Sequence, residues 1–190
     1  PDYDKKWDGD LQAWRNAGYP VLTHKTIKAK ELWDAIVEAA WTNGEPGVWF
    51  IEKANNMSNS HYLGRLLCTN PCFEEPLPAF GVCCLGSLSL PAFIKGNDIA
   101  WEALEQAIKT AVRFLDDVIS VTPYFHGDIE QRQKSERRIG LGTMGLSELL
   151  IRLGLRYGSD DSVKFIDKLY GYIAKSAYLA SVSLAKEKGR

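Results

Sequence analysis

Only one stretch of this chain, Val48-Trp49-Phe50-Ile51, has the unbroken β-branched and aromatic run of a buried strand, and it stands among four segments of helical periodicity. Pro46-Gly47 turns the chain into it, and one or two weaker strands can be placed within Val82 to Leu90. So few strands can neither close a βα barrel nor fill a doubly wound sheet by themselves. Either the fold is mostly helical, or the chain is part of a larger α/β domain.

The helical segments are delimited by their stripes and caps. Thr26 is placed to cap a helix over 27–42, where Ile27, Trp33, Ile36, Val37, Ala40 and Trp41 mostly recur at helical spacing before Asn43-Gly44. Asp98 is placed to cap a helix over 98–121, whose apolar stripe from Leu104 through Ile108, Val112 and Leu115 to Ile119 runs out before Pro123. The segment HGDIEQRQKSERR reads as a polar linker, in which Arg132, Lys134, Arg137 and Arg138 form a solvated basic cluster, with contact to a phosphate or a neighbouring segment as the alternative. It leads to Gly140-Leu141-Gly142-Thr143-Met144-Gly145. No clear strand precedes these glycines, so close helix packing suits them better than phosphate binding. A helix is expected over 143–153, ending at Gly154, and a last one, capped by Ser159 or Asp160, over 160–188. From Asn55 to Gly96, Asn, Gly, Pro and Cys interrupt every periodic pattern, which marks loop.

Among the 190 residues, 45% are hydrophobic and 25% charged, a balance that supports a packed core. A formal net charge of -1 gives no global basic field, so neither a nucleic-acid polymer nor an anionic membrane is expected as a partner. No apolar run reaches the ~18 residues of a membrane span, and PDYDKKWDGD lacks the order of a signal peptide, which points to the cytoplasm. The initial proline suggests a trimmed or processed fragment, and an expression boundary would look the same.

All four cysteines fall between Leu66 and Leu90. Clustered thiols in a reducing compartment are more often catalytic, redox or metal-binding than structural disulfides. In Asn70-Pro71-Cys72-Phe73-Glu74 the proline disfavours helix at Asn70, and in an extended run Asn70, Cys72 and Glu74 would share one side. An amide can orient hydroxyls and a carboxylate can take a proton from one. A carboxylate beside a thiol works against thiolate formation, so this placement suits a sulfur that gives up a hydrogen atom rather than a proton. Two alternatives compete. One is a cysteine-rich structural metal-binding module, although Cys68-x3-Cys72-x10-Cys83-Cys84 has no C-x2-C pair. The other is a cysteine hydrolase using His24, His61 or His126, for which Glu74 sits where positive charge would be wanted.

The string TNPCFEEPLPAFGVCCLGSLSL resembles the active-site segment of the large catalytic subunit of ribonucleotide reductase, an Asn-Pro-Cys-x-Glu loop followed by a Cys-x-Leu-Gly-Ser run. GEPGVWFIEKANN resembles the family's strand before that loop, and ERRIGLGTMGLSELLIRLGLRYGS its downstream Gly-rich helix start, with wording nearest the adenosylcobalamin-dependent class II members. The resemblance covers essentially the whole chain. It implies an α/β fold in which residues 1–190 are a helix-rich part of the family's ten-stranded barrel, with the active-site loop over 66–90. It further implies that Cys72 is the thiyl radical that takes the ribose 3′ hydrogen, that Glu74 accepts the 3′ hydroxyl proton, and that Asn70 holds the substrate hydroxyls. Cys83 would be one half of the reducing dithiol. The implied cofactor is adenosylcobalamin, bound mainly by the rest of the subunit; the implied partners are a ribonucleotide substrate, the remaining segments of the catalytic subunit and a thioredoxin-type reductant. The family's other redox cysteine falls upstream of these segments, and its substrate-phosphate loop downstream. Two positions depart from the pattern: Phe73 replaces a small residue, and Cys84 stands where a polar residue is common. Cys84 and Cys68 read as packing cysteines, and Trp49 as a residue near the barrel interior.

Overall fold

A computed structural model describes residue 7 and residues 10–189. Most of the N-terminal decapeptide used in the targeting argument, and the two ends of the expected 1–190 domain, therefore lie outside the described residues. The chain divides into two compact units, Pro1–Ala79 and Phe80–Arg190.

The second unit holds nearly all of the core. Helix α4 (Trp101–Val121) buries Leu104, Ile108, Val112, Leu115 and Ile119 along one face, and α7 (Asp160–Lys188) packs Leu169, Ile173, Ala180 and Leu184 in the same cluster. Each fully buried aliphatic side chain contributes about 1.5–3 kcal/mol. Helix α7 begins where the Ser159 hydroxyl accepts from Ser162 N at 3.2 Å, carries Asp160 and Asp161 in its first turn and Lys186 and Lys188 in its last, and stops at left-handed Gly189. Its charges thus oppose the helix dipole at both ends. Before and after α4 run β3 (Leu85–Ser89) and β6 (Gly140–Met144), paired in parallel with Leu85 opposite Gly140 and Ser89 opposite Met144. A parallel pair needs a crossover, and α4 provides it. A short hairpin, β4 (Ile94–Lys95) with β5 (Asp98–Ile99), lies within that crossover, as does α5 (Gly127–Glu136), while α6 (Leu146–Arg152) follows β6.

The first unit contains α1 (Leu11–Asn16), α2 (Ala29–Asn43), α3 (Ile51–Met57) and the antiparallel pair β1 (Cys68–Thr69) with β2 (Pro76–Leu77). Helix α2 buries none of its residues; Trp33 is 56% and Trp41 86% exposed, so its apolar stripe faces outward.

Several expectations are corrected. Among the described residues there are three two-stranded sheets and no closed barrel. Val48 to Phe50 is irregular and Ile51 opens α3, because no described strand lies beside this run to take its backbone bonds. Helix α2 starts at Ala29 with Lys28, not Thr26, at its cap position. Asp98 does not cap α4; it belongs to β5, and its carboxylate accepts from Ile99 N at 2.7 Å, so the helix begins only at Trp101. Thr143 and Met144 are strand rather than helix, since they pair with Leu88 and Ser89. The turn into α6 is made by Gly145 at φ 79°, where a Cβ would stand 2.6 Å from Pro91 Cδ, so the close packing expected of these glycines is met at this position.

The basic cluster is not a solvated linker. Arg132 and Lys134 lie in α5, and Arg137, left-handed at φ 51°, ends it. Arg137 Nε donates to the Asp116 carboxylate on α4, and its Nη2 donates to Asp116 O at 2.6 Å and to Ser120 Oγ at 2.8 Å. Lys188 from α7 donates to the other Asp116 oxygen and to Asp117 at 2.8 Å. The side chains of Arg137 and Asp116 are only 12% and 13% exposed, so their attraction is weakly screened. Arg138 and Arg132 both pair with the buried Glu136 side chain, at 3.2 and 2.8 Å.

Burial pushes the Asp116 carboxyl up, but the bonds and charges of Arg137 and Lys188 outweigh it and hold the group below its ordinary value of 3.8. Asp116→Asn is expected to cost about 3 kcal/mol, the scale for leaving a buried charge uncompensated, read as a lower urea midpoint at neutral pH. The folded value lies below the unfolded one, so this stabilisation is complete above the ordinary carboxylate range and is lost as pH falls through the folded value. The gap between wild type and variant should therefore close on acidification; a gap unchanged into strong acid would contradict the assignment.

Candidate active site

The loop that carries Asn70, Cys72 and Glu74 joins β1 to β2, and it is fastened at its base. Asn55 on α3 accepts from Leu66 N at 2.9 Å and donates to Leu66 O at 2.9 Å, so one amide side chain takes up both backbone groups of the residue leading into the hairpin. Leu67 N then donates to Leu77 O at 2.8 Å, and Leu66 and Leu77 are buried. Asparagine is a poor helix former. The sequence places Asn55 at the start of a loop and gives no signal of this task; the helix that carries it, Ile51–Met57, appears only in the structure.

The loop is a turn, not the extended run expected. Phe73 N donates to Asn70 O at 3.1 Å, closing a four-residue turn with Pro71 at its second position, where its fixed φ is favoured. The expected reason for a shared side, a period of two, therefore does not apply. What organises the loop is Asn70: its Oδ1 accepts from Glu75 N at 3.0 Å and from Thr69 Oγ1 at 3.1 Å. The amide NH2 takes part in neither bond. Cys72 and Glu74 are exposed on the turn, whereas Glu75, which the sequence did not single out, is buried at 7% exposure. Phe73 is left-handed at φ 67°. Its ring lies against Gly47, where an added Cβ would stand 2.3 Å from Phe73 Cε2. The departure at Phe73 thus serves packing, and Gly47 is the residue that makes room for it.

Cys83 lies in the second unit, just ahead of β3. Cys84 Sγ donates to Leu115 O on α4 at 3.4 Å, and a Cβ on Gly86 would meet Leu115 at 3.4 Å, so Cys84 and Gly86 face the helices. Alternation along β3 turns Leu85 the other way. Cys68 is held at the hairpin, its Sγ 3.8 Å from Leu77 O. No disulfide joins the four cysteines, and no group of three or more potential ligands is gathered for a metal among the described residues. His126 Nδ1 accepts from Asp128 N at 3.3 Å, and His61 Nδ1 is 3.3 Å from Ser58 O; these contacts give a cysteine hydrolase no support. No described helix is long and apolar enough to cross a membrane.

Residues 4–190 match the family model described as ribonucleotide reductase, barrel domain. A vitamin B12-dependent ribonucleoside-diphosphate reductase of Mycobacterium tuberculosis is 41% identical over 181 residues, which is 92% of this chain and 26% of that protein. The protein of the same description from Thermoplasma acidophilum is 37% identical over 87% of this chain and 22% of its own length. A ribonucleoside-diphosphate reductase subunit alpha of Chlamydia pneumoniae is 34% identical over 89% of this chain and 17% of its own length. The chain thus spans about a quarter or less of these relatives.

Gly47→Ala is expected to displace the Phe73 ring and speed hydrogen exchange at the Phe73 and Glu75 amides by about fivefold or more, the loss of one hydrogen bond's worth of local stability. Unchanged exchange at both amides would show that the turn keeps its shape without the ring.

Proposed function

This chain belongs to the ribonucleotide reductase barrel-domain family, and we propose that it carries the radical thiol, the proton acceptor and one reducing thiol of a catalytic subunit that converts ribonucleoside diphosphates to deoxyribonucleoside diphosphates. The observation that carries the reading is the Asn70–Phe73 turn, which presents Cys72 and Glu74 outward while Asn70 braces it from within.

Cys72, as a thiyl radical, takes the 3′ hydrogen atom of the ribose. Glu74 accepts the 3′ hydroxyl proton as the 2′ C–O bond breaks and the 2′ oxygen leaves as water. The Asn70 NH2 donates to the substrate hydroxyls. Cys83 and a second thiol give up two electrons and two protons and become a disulfide, and Cys72 returns its hydrogen atom to C3′. Cys84 is turned toward α4; the second thiol is assigned, as the resemblance implies, to the family's other redox cysteine upstream of these segments. A thioredoxin-type reductant restores the dithiol, which suits a cytoplasmic setting.

Adenosylcobalamin, when bound, supplies the radical that converts Cys72 to a thiyl. The exposed Cys72 sulfur fits this demand, being reachable from outside its own hairpin, and we assign the groups that would hold the corrin mainly to the rest of the subunit. We assign residues 1–190 to part of a ten-stranded α/β barrel with its active-site loop at 66–90. The parallel β3–α4–β6 crossover supports that architecture.

In the complete subunit, Cys72→Ser should reduce turnover to background, because an O–H bond is too strong to serve as the same hydrogen-atom relay, and Glu74→Gln should lower kcat by roughly 10²–10⁴. Substantial turnover by the Cys72 variant would sink the mechanism. A metal-binding module would instead show about one bound ion per chain, lost with the cysteines.

The isolated chain is expected to be inert. Assays with adenosylcobalamin and ribonucleoside diphosphates, first on the chain alone and then with the flanking segments, test this. Activity of the chain alone would refute it, and activity of the mixture only with a metal-radical subunit would exclude the cobalamin assignment.

A further inference from the structure

Cys84 is held from two sides. Its Sγ donates to Leu115 O on α4 at 3.4 Å, and its carbonyl accepts from the N–H of Gly140, the first residue of β6, at 2.9 Å. A carbonyl has two lone pairs, so Leu115 O can take the thiol and keep its place in the helix. Leu115 is buried, and a Cβ on Gly86 would meet it at 3.4 Å, so thiol and strand press on the same point of α4. The next carbonyl along the helix, Asp116 O, accepts from Arg137 Nη2 at 2.6 Å, and Arg137 stands three residues before Gly140. The contacts thus close a ring: Cys84 to α4, α4 to Arg137, Arg137 along the chain to Gly140, and Gly140 back to Cys84. A residue in such a ring has little freedom to turn. Cys83 is joined to it by one trans peptide, with the two Cα atoms about 3.8 Å apart.

Resting on the functional reading above, we infer that Cys84 is a positioning residue: its thiol bond to Leu115 fixes the backbone beside Cys83 and so sets where the reducing thiol meets its partner thiol. A disulfide forms only within narrow limits, with Cα atoms roughly 4.4–6.8 Å apart. The partner belongs to another segment of the subunit, so the two sulfurs meet at an effective concentration that falls when either is free to wander. The anchor lowers that freedom at Cys83. Thiol–disulfide exchange proceeds through a thiolate, whereas the bond to Leu115 O needs the proton on the Cys84 sulfur, so the two tasks cannot fall to one sulfur at once. Of the two adjacent cysteines, Cys84 anchors and Cys83 exchanges.

Two variants of the complete subunit test this: Cys84→Ala, which removes the donor, and Cys84→Ser, which keeps one. Cys84 is half-buried, so both should fold. The dithiol–disulfide equilibrium of Cys83, titrated in a graded dithiothreitol redox buffer, should shift about fivefold toward the dithiol in the alanine variant, the worth of one hydrogen bond, or about 20 mV for a two-electron couple. Because the disulfide forms in every turnover, kcat with adenosylcobalamin and ribonucleoside diphosphates should fall about fivefold with KM unchanged. Cys84→Ser should restore both quantities to within about twofold of wild type. Cys68→Ala, which removes the thiol facing Leu77 O in the first unit, should leave the equilibrium where it is. A lower kcat with an unmoved equilibrium would reduce Cys84 to a packing group and overturn the inference. A serine variant as impaired as the alanine one would also overturn it, by making the sulfur itself the requirement. A wild-type subunit that reduces ribonucleotides while both Cys84 variants match it would overturn this inference alone. A wild-type subunit that does not reduce them would overturn the functional reading itself.

Discussion

Parallel pairing of Leu85–Ser89 with Gly140–Met144 is the constraint on which the second unit depends. Strands that run the same way cannot be joined by a tight turn, so the chain must leave one, travel its length and return. The 21 residues of α4 make that journey, and their single buried face anchors both strands and α7 to one cluster. Gly86 permits the closest approach, because a methyl there would already touch Leu115. Leu115 also takes the Cys84 thiol at its carbonyl, so the residue that sets the strand-to-helix distance also fixes which way Cys84 points.

Charge closes what the apolar face starts. Asp116 gathers Arg137 from the end of α5 and Lys188 from the end of α7, two points 51 residues apart in sequence, at a place where water screens little. Arg113 of α4 and Glu187 of α7 form a bidentate pair, at 2.9 and 2.5 Å, but in an exposed setting where such pairs are worth less.

The hairpin loop illustrates economy of a different kind. A residue proposed to hold substrate hydroxyls is also the residue that shapes the turn, through two bonds to the oxygen of its amide. Asparagine suits this because its two ends have opposite polarity: one can be given to the loop while the other faces outward. Aspartate could copy the first task and not the second. The same two-ended chemistry appears at Asn55, where both ends are given to Leu66.

Asn70, Cys72, Glu74 and Cys83 could be proposed from the sequence alone, because a Cys between an amide and a carboxylate, followed by a second Cys, carries its family resemblance without a fold. The α4 stripe and the Ser159 and Gly189 ends of α7 were legible too, since helix periodicity and caps are local. What the sequence misread depends on partners distant in the chain. Val48 to Phe50 has the composition of a strand and no neighbour among the described residues to make it one. Thr143 and Met144 have helical neighbours in sequence and strand neighbours in space. Arg137 reads as a surface charge until Asp116, 21 residues earlier, is brought beside it. Side-chain chemistry and helix periodicity belong to the sequence by itself; pairing, burial and the direction a thiol faces were decided only by tertiary structure, because each is a relation between segments that local preference cannot encode.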